Sequence, residues 1–127
     1  MSATAAQPAT NSEAIVEATI EAIQDRKGFD ITVLDMRKLE NPAMDYFIIC
    51  SGNSDRQTEA IAENVLRHLR NELSERPISK EGMETGEWIL LDYVNVVVHI
   101  FIPRVRDYYD LAGLWGDAGI RRIPDVK

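Results

Sequence analysis

A turn at residues 51–54 is the strongest indication of a ligand site in this sequence. The preceding residues 46–50 form an unbroken apolar run, which is typical of a strand that is covered on both faces. After the turn Ser-Gly-Asn-Ser, Ser54 and Gln57 have the spacing of a capping box at the start of a helix. Backbone N–H groups converge where a strand, a glycine turn and a helix meet, and they often point at a ligand. Nucleotide chemistry is therefore one hypothesis for this turn.

Transfer of a nucleotide at such a turn requires carboxylates, and the sequence supplies few. A nucleotidyltransferase-like site holds Mg²⁺ with two or three Asp or Glu side chains on an adjacent strand. The β-rich residues 88–102 contain a single carboxylate, Asp92, and it lies at a predicted turn. The glycine turn also reads Gly-Asn-Ser rather than Gly-Ser. A nucleotide-binding or nucleotidyltransferase-like enzyme is therefore kept as the alternative function.

The remaining candidates for nucleophilic or metal chemistry do not form a recognisable site. The single cysteine, Cys50, lies in the apolar run with no base beside it, which predicts a buried structural thiol and fits a reducing compartment. His68 falls on a predicted helix, and His99 is expected to be a hydrogen-bonded histidine within a strand. Neither belongs to a cluster of metal ligands, and a triad of Ser51, His99 and Asp92 lacks a nucleophile elbow. We therefore expect no catalytic residue, no metal and no cofactor.

Trp88 is the candidate contact residue for a partner. It opens a β-rich run, where a large aromatic side chain is either an exposed anchor or part of the core, and both alternatives stay open. The net charge of −7 and the pI of about 4.8 disfavour non-specific binding to nucleic acid. An aromatic anchor with an acidic rim suits a basic protein partner. The acidic residues around Trp88 in the sequence are Glu81, Glu84, Glu87 and Asp92.

Hydrophobic periodicity predicts the elements that would position these residues. Their order is α-β-β-α-β-β-α, which indicates an α/β fold with a mixed β-sheet flanked by helices. The most apolar runs, 46–50 and 96–102, are expected at the centre of the sheet. The predicted elements are a helix from residues 10–12 to Gly28 with Thr10 and Glu13 as its capping box, strands at 31–36 and 46–50, a helix at 55–73, strands at 88–93 and 95–102, and a helical segment at 105–111. Residues 78–86 are predicted to be a loop, and 120–127 a polar tail.

Length and composition suggest one domain in the cytoplasm. The chain has 127 residues, which is the size of a single domain. Residues 1–12 are small and polar and resemble neither a transit peptide nor a signal peptide, so we predict a flexible tail. No run approaches the roughly 18 apolar residues of a membrane span. Together with the single cysteine, these features lead us to expect a cytoplasmic protein.

A series of short motifs runs through the chain. They are Asp35-Met36-Arg37, Asp45-Tyr46-Phe47, Ser51-Gly52-Asn53-Ser54, Arg56-Gln57, Ile61-Ala62, Glu81-Gly82, Trp88, Asp92, Val98-His99, Val105-Arg106-Asp107-Tyr108-Tyr109-Asp110-Leu111 and Gly113-Leu114-Trp115-Gly116-Asp117-Ala118. In order and spacing they resemble the ribosomal silencing factor (RsfS, Iojap-related) family. The resemblance covers roughly residues 13–118, which we expect to be the ribosomal silencing factor domain between an N-terminal tail (1–12) and a C-terminal tail (119–127).

The resemblance implies a function as well as a fold. The fold would be nucleotidyltransferase-like without the catalytic carboxylates. Members of the family bind the large ribosomal subunit through the ribosomal protein numbered fourteen (uL-fourteen class), on the face that meets the small subunit, which blocks subunit joining and represses translation. Family members are often dimeric, so a homodimer with little direct nucleic-acid binding is expected. Partner contact is assigned to Trp88 and its neighbours Glu87, Ile89 and Asp92.

Three positions depart from the family pattern. Val94 stands in a turn where the family often has glycine, Arg104 where it often has an acidic residue, and Ala112 where it usually has glutamate. If the turn requires a positive φ, Val94 is strained there. A dimeric adaptor for another basic partner is a third hypothesis that also fits the acidic rim.

Overall fold

The computed structural model describes residues 11–39, 44–116 and 118–126. Within these ranges the helices are α1 (Ser12–Asp25), α2 (Asp55–Leu73), α3 (Pro103–Tyr109) and α4 (Leu111–Leu114). The strands are β1 (Phe29–Asp35), β2 (Tyr46–Ser51), β3 (Ser79–Glu81), β4 (Trp88–Asp92), β5 (Val96–Phe101) and β6 (Gly119–Ile123). They form one sheet in the order β3-β4-β5-β2-β1-β6. The pair β2–β5 is parallel and the other neighbouring pairs are antiparallel, which confirms the predicted α/β fold with a mixed sheet.

The two central strands are those with the most apolar sequences. Every residue of β2 and β5 is buried, because both faces of these strands are covered. Their parallel register runs from the pair Tyr46–Val96 to the pair Ser51–Phe101. The prediction that these two runs lie at the centre of the sheet is therefore confirmed.

The helices α1 and α2 cover one face of the sheet. The stripe predicted on α2 is buried against it, since Ile61, Val65 and Leu69 are all 0% exposed. The two helices are also joined directly, because the side-chain amide of Asn64 donates a hydrogen bond to the backbone carbonyl of Ala22 at 2.9 Å. The larger of the two hydrophobic clusters formed by the described residues lies on this face, beneath α1 and α2.

The opposite face of the sheet has a thinner cover. We call it the Trp88 face; its side chains come from alternate residues of the strands, namely Phe47, Ile49, Trp88, Leu90, His99 and Phe101. The short helices α3 and α4 pack on it through Val105, Leu111 and Ala112. Trp88 and Leu90 remain partly exposed at the edge of this cover. Apolar side chains near the surface of a sheet are candidates for contact with another molecule.

Side-chain caps fix the starts of the two long helices. Asn11 is the N-cap of α1 and accepts a hydrogen bond from the backbone N–H of Ala14 at 2.8 Å, in place of the predicted Thr10, which lies outside the described residues. The helix begins at Ser12, a buried residue, and so starts within the stretch 1–12 that was predicted to be a tail. Ser54 caps α2 as predicted, accepting from the backbone N–H of Gln57 at 3.1 Å.

Two edge strands are missing from the prediction. Ser79–Glu81, within the predicted loop 78–86, pairs antiparallel with β4. Gly119–Ile123, within the predicted polar tail, pairs antiparallel with β1. All residues of β3 and all but the last of β6 are exposed. Short, polar edge strands lack the apolar run or alternation by which a strand is recognised in a sequence.

Two residues with positive φ shape the turns beside the Trp88 face. Val94, in the hairpin between β4 and β5, has φ 74°, so the strain expected at this position is present. Asp110 has φ 44°; it ends α3, and its side chain accepts a hydrogen bond from the backbone N–H of Gly113. The single helical segment predicted at 105–111 is therefore two short helices with a break at Asp110.

Candidate docking site on the Trp88 face

The alternation of side chains along β4 decides which predicted contact residues can meet a partner. Trp88, Leu90 and Asp92 lie on the Trp88 face, and each is partly exposed. Ile89 points to the opposite face, is 0% exposed and belongs to the core beneath α1 and α2. The assignment of Ile89 to partner contact is therefore corrected, because adjacent residues of a strand cannot share one face.

Trp88 is half-buried, so it has features both of an exposed anchor and of a core residue. Its indole N–H donates a hydrogen bond to Nδ1 of His99 over 3.1 Å. Its ring stacks on Phe101 with 4.9 Å between the ring centroids and meets Tyr109 at 4.7 Å. The rest of the indole lines a surface groove. Trp88 therefore packs into the sheet and still presents aromatic surface to the outside.

The groove beside Trp88 lies between the start of β4 and α3. It has a volume of about 460 Å³, and its lining includes Trp88, Glu87, Arg104, Tyr108 and Tyr109. Tyr108 is 81% exposed and Tyr109 is 48% exposed. Large aromatic side chains that combine apolar area with a polar tip are enriched in protein interfaces. The groove is therefore suited to contact with another protein.

The groove is lined by one acidic and one basic residue, and two further carboxylates lie on the same face of the sheet. Glu87 forms an exposed ion pair with Arg104, with 3.1 Å between the charged atoms. Asp92 accepts a hydrogen bond from the backbone N–H of Val94 at 2.8 Å, so one of its oxygens is already engaged. Glu81 pairs in register with Leu90 and so lies on the same side of the sheet. Arg104 offsets part of this negative charge, but an exposed pair of this kind contributes little to stability.

Two backbone N–H groups of the glycine turn at 51–54 are paired within the chain. The backbone N–H of Gly52 donates to the carbonyl of Phe101 at 2.9 Å, and that of Asn53 donates to Oε1 of Gln57 at 2.6 Å. Nε2 of Gln57 donates to two backbone carbonyls just beyond α1, so Gln57 joins the end of α1 to the start of α2. These N–H groups are therefore not available to a phosphate, which would need them as donors.

Arg106 of α3 engages polar atoms at the end of β2 and the start of β1. Its guanidinium donates to Oγ of Ser51 at 2.9 Å, to the carbonyl of Asp30 at 2.7 Å and to Oγ1 of Thr32 at 3.2 Å. Burial lowers the pKa of this arginine. The hydroxyl of Ser51 is thus hydrogen-bonded to a guanidinium and not to His99, so the triad drawn from the sequence is not assembled.

The remaining candidates for chemistry are structural. Cys50 is 0% exposed, and burial raises the pKa of its thiol to about 12. His99 is a hydrogen-bonded sheet histidine, as predicted. Within residues 11–39, 44–116 and 118–126, no group of three or more His, Cys, Asp or Glu side chains is placed to hold a metal ion. The cluster of metal ligands that a nucleotidyltransferase-like site requires is therefore not found among the described residues.

The groove residues other than Trp88 and Glu87 were not identified from the sequence. Tyr108 and Tyr109 fall in the helical segment predicted at 105–111, where two adjacent aromatic residues were the available signal. Which side of α3 faces the sheet depends on Arg106, whose partners are 55 to 76 residues away in the chain. A contact set over such distances could not be read from local periodicity.

Comparison with known proteins identifies the family. The model of the family described as "Ribosomal silencing factor during starvation" matches residues 9–127. The chain belongs to the ribosomal silencing factor family. The ribosomal silencing factor RsfS of Chromobacterium violaceum is 44% identical over 102 residues, covering 80% of this chain and 82% of that protein. RsfS of Bacillus subtilis is 40% identical over 111 residues, covering 85% of this chain and 90% of that protein.

The fold agrees with this assignment. A crystal structure of a Chromobacterium violaceum protein matches with a TM-score of 0.79 and 42% identity, covering 84% of this chain and 88% of that chain. Membership of the ribosomal silencing factor family gives the chain a regulatory role in ribosome silencing. Among the helices in the described ranges, none combines the length and apolar character needed to cross a membrane.

Proposed function

We propose that this chain binds the large ribosomal subunit through ribosomal protein fourteen, on the face that meets the small subunit, and blocks subunit joining. The groove beside Trp88 is the main support for this proposal, because an exposed aromatic surface, on a face that also holds the carboxylates of Glu81, Glu87 and Asp92, suits a basic protein. A mouse relative, 27% identical over 103 residues, is named mitochondrial assembly of ribosomal large subunit protein 1, and that name supports the large subunit as the partner.

The proposed mechanism is steric and stoichiometric. One bound protein keeps one large subunit out of translation, and no chemical step is needed. The net charge of −7 favours a basic ribosomal protein over RNA as the principal contact. We further propose that the protein acts in the cytoplasm and forms a homodimer.

Within this proposal, Trp88, Tyr108 and Tyr109 supply the apolar contact. Glu87 at the groove and Asp92 farther along the same face contribute the attraction to a basic partner. Interface energy concentrates in a few aromatic residues, so Trp88 is expected to account for more than about 2 kcal/mol of binding free energy.

Co-sedimentation of the purified protein with small subunits, large subunits and joined ribosomes tests this function. We expect association with large subunits and inhibition of joining when small subunits are added. Binding to none of these particles would refute the proposal. Saturable binding of ATP or CTP with Mg²⁺ in calorimetry would instead support the enzyme alternative, and recovery of non-ribosomal basic proteins alone would favour the adaptor.

Substitutions on the Trp88 face locate the contact. Trp88→Glu should abolish sedimentation with large subunits, and circular dichroism should show a folded protein. Since Trp88 is half-buried, Tyr108→Glu provides a second test at a side chain that is 81% exposed. Ile120→Glu is the matched control, because Ile120 is 45% exposed on β6 at the far edge of the sheet. If all three variants bind as well as the wild type, the contact lies elsewhere.

A further inference from the structure

The hydrogen bond between Trp88 and His99 fixes the protonation of the histidine. An indole N–H is only a donor, so Nδ1 of His99 must be the acceptor and the ring proton must lie on Nε2. His99 is 4% exposed, and its Nε2 has no hydrogen-bond partner among the residues that the structure describes. The imidazole therefore buries one satisfied and one unsatisfied polar atom.

An apolar ring would fill this position at a lower cost. The neighbours of His99 on the same side of β5 are Val97 and Phe101, and its ring packs edge-to-face with Phe47 at a centroid distance of 4.8 Å. In such surroundings an unpaired N–H loses its hydrogen bonds to water and gains none. What distinguishes histidine from phenylalanine here is the acceptor that it offers to Trp88.

This acceptor determines which part of Trp88 faces the groove. The bond turns the N–H edge of the indole inward, while Phe101 and Tyr109 hold the ring at 4.9 Å and 4.7 Å between centroids. The side of the indole that lines the groove is therefore hydrocarbon, and it meets a partner by packing and not by donating a hydrogen bond. An indole held before binding loses less side-chain entropy when a partner docks.

We propose that His99 is a positioning residue, which holds the Trp88 indole in the orientation required for docking on the large ribosomal subunit. This inference rests on the proposed function. His99 itself does not touch the partner, because it is buried beneath Trp88. Its role is to supply the acceptor that fixes the tryptophan.

The indole N–H signals in a ¹H–¹⁵N NMR spectrum test the bond in the free protein. The chain has two tryptophans, so Trp115 serves as an internal reference. His99→Phe keeps an aromatic ring but removes the acceptor, and it should move the Trp88 signal upfield and speed its hydrogen exchange at least about tenfold. His99→Gln retains an acceptor oxygen. In this variant the signal position and the exchange rate should both lie between those of His99→Phe and the wild type. An unchanged Trp88 signal in His99→Phe would overturn the inference.

A double-mutant cycle on binding to isolated large subunits tests the link to docking. We expect His99→Phe and Trp88→Phe each to weaken binding about tenfold, and the double variant to be no weaker than Trp88→Phe alone, because both remove the same bond. Additive losses, or wild-type affinity in His99→Phe, would overturn the inference. If the wild-type protein does not bind large subunits, the proposed function fails and the docking role with it, whereas the NMR signals report the bond independently.

Discussion

Acidification should destabilise this protein through His99. Burial lowers the pKa of His99 to about 4, below its ordinary value of 6.5. Between these two pH values the unfolded chain binds a proton that the folded protein does not. The contribution of neutral His99 to the unfolding free energy is therefore fully present above pH 6.5 and is lost progressively as the pH falls towards 4. The difference in pKa corresponds to about 3 kcal/mol of unfolding free energy.

Urea denaturation at several pH values between 7 and 4 measures this loss. Carboxylates also titrate in this range, so the informative quantity is the difference between wild type and His99→Phe, in which the other groups cancel. Between pH 7 and pH 4 the unfolding free energy of the wild type should fall by about 3 kcal/mol more than that of His99→Phe. His68→Gln is the matched control: it removes the other histidine, which lies near the surface of α2 and is hydrogen-bonded to Glu21. A larger change in the pH dependence for His99→Phe than for His68→Gln would locate the loss at His99.

Parallel curves for the wild type and His99→Phe would refute the reasoning. They would mean that His99 takes up its proton in the folded protein as readily as in the unfolded chain, and hence that it is not buried in solution. An NMR titration of the His99 ring would decide the same point directly, since a midpoint near 6.5 contradicts a buried, neutral imidazole. Loss of the Trp88 hydrogen bond should accompany protonation, because the acceptor Nδ1 then carries a proton.

Three further perturbations test other features of the fold. Val94→Gly should raise the unfolding free energy by about 1 kcal/mol in urea denaturation, because glycine adopts the φ of 74° without strain. Arg106→Leu should lower it by about 2 to 3 kcal/mol, since the buried hydroxyls of Ser51 and Thr32 lose their guanidinium donor, and an unchanged denaturation midpoint would show that this contact is dispensable. Cys50 should react with a thiol reagent at pH 8 only as fast as the protein opens, because the pKa of its thiol is about 12; rapid labelling of the native protein would contradict its burial.

The central part of the fold could be predicted because its signals are local. The apolar runs at 46–50 and 96–102 became the buried strands β2 and β5, and the helix predicted at 55–73 has those bounds in the structure. Ser54 and Gln57 set the start of α2, since a capping box is a short-range pattern. By contrast, β6 exists because β1 offers it an edge to pair with, and nothing within its own sequence indicates that partner.

The candidate site was predicted only in part, for a similar reason. Trp88 and Glu87, which were predicted as contact residues, both line the groove, whereas Ile89, which was predicted with them, is buried on the other side of the strand. Period-two alternation would have separated Ile89 from Trp88, but the choice of the exposed side depends on where α1, α2 and α3 pack. Tyr108 and Tyr109 join Trp88 only because α3 folds back over the sheet.

The glycine turn and the Trp88 face together favour the proposed docking role over nucleotide binding. At the turn, Gln57 engages the N–H of Asn53, and Arg106 engages the hydroxyl of Ser51, so the chain itself supplies the partners that a phosphate would otherwise provide. Gln57 also joins α1 to α2 through its Nε2, and the Arg106 bonds hold α3 on the sheet, with Tyr108 and Tyr109 beside Trp88. Loss of the Arg106 bonds should therefore disturb the docking groove as well as the stability of the fold. The polar end of β2 thus supports, through α3, the surface around Trp88 on β4, which lies two strands away in the sheet.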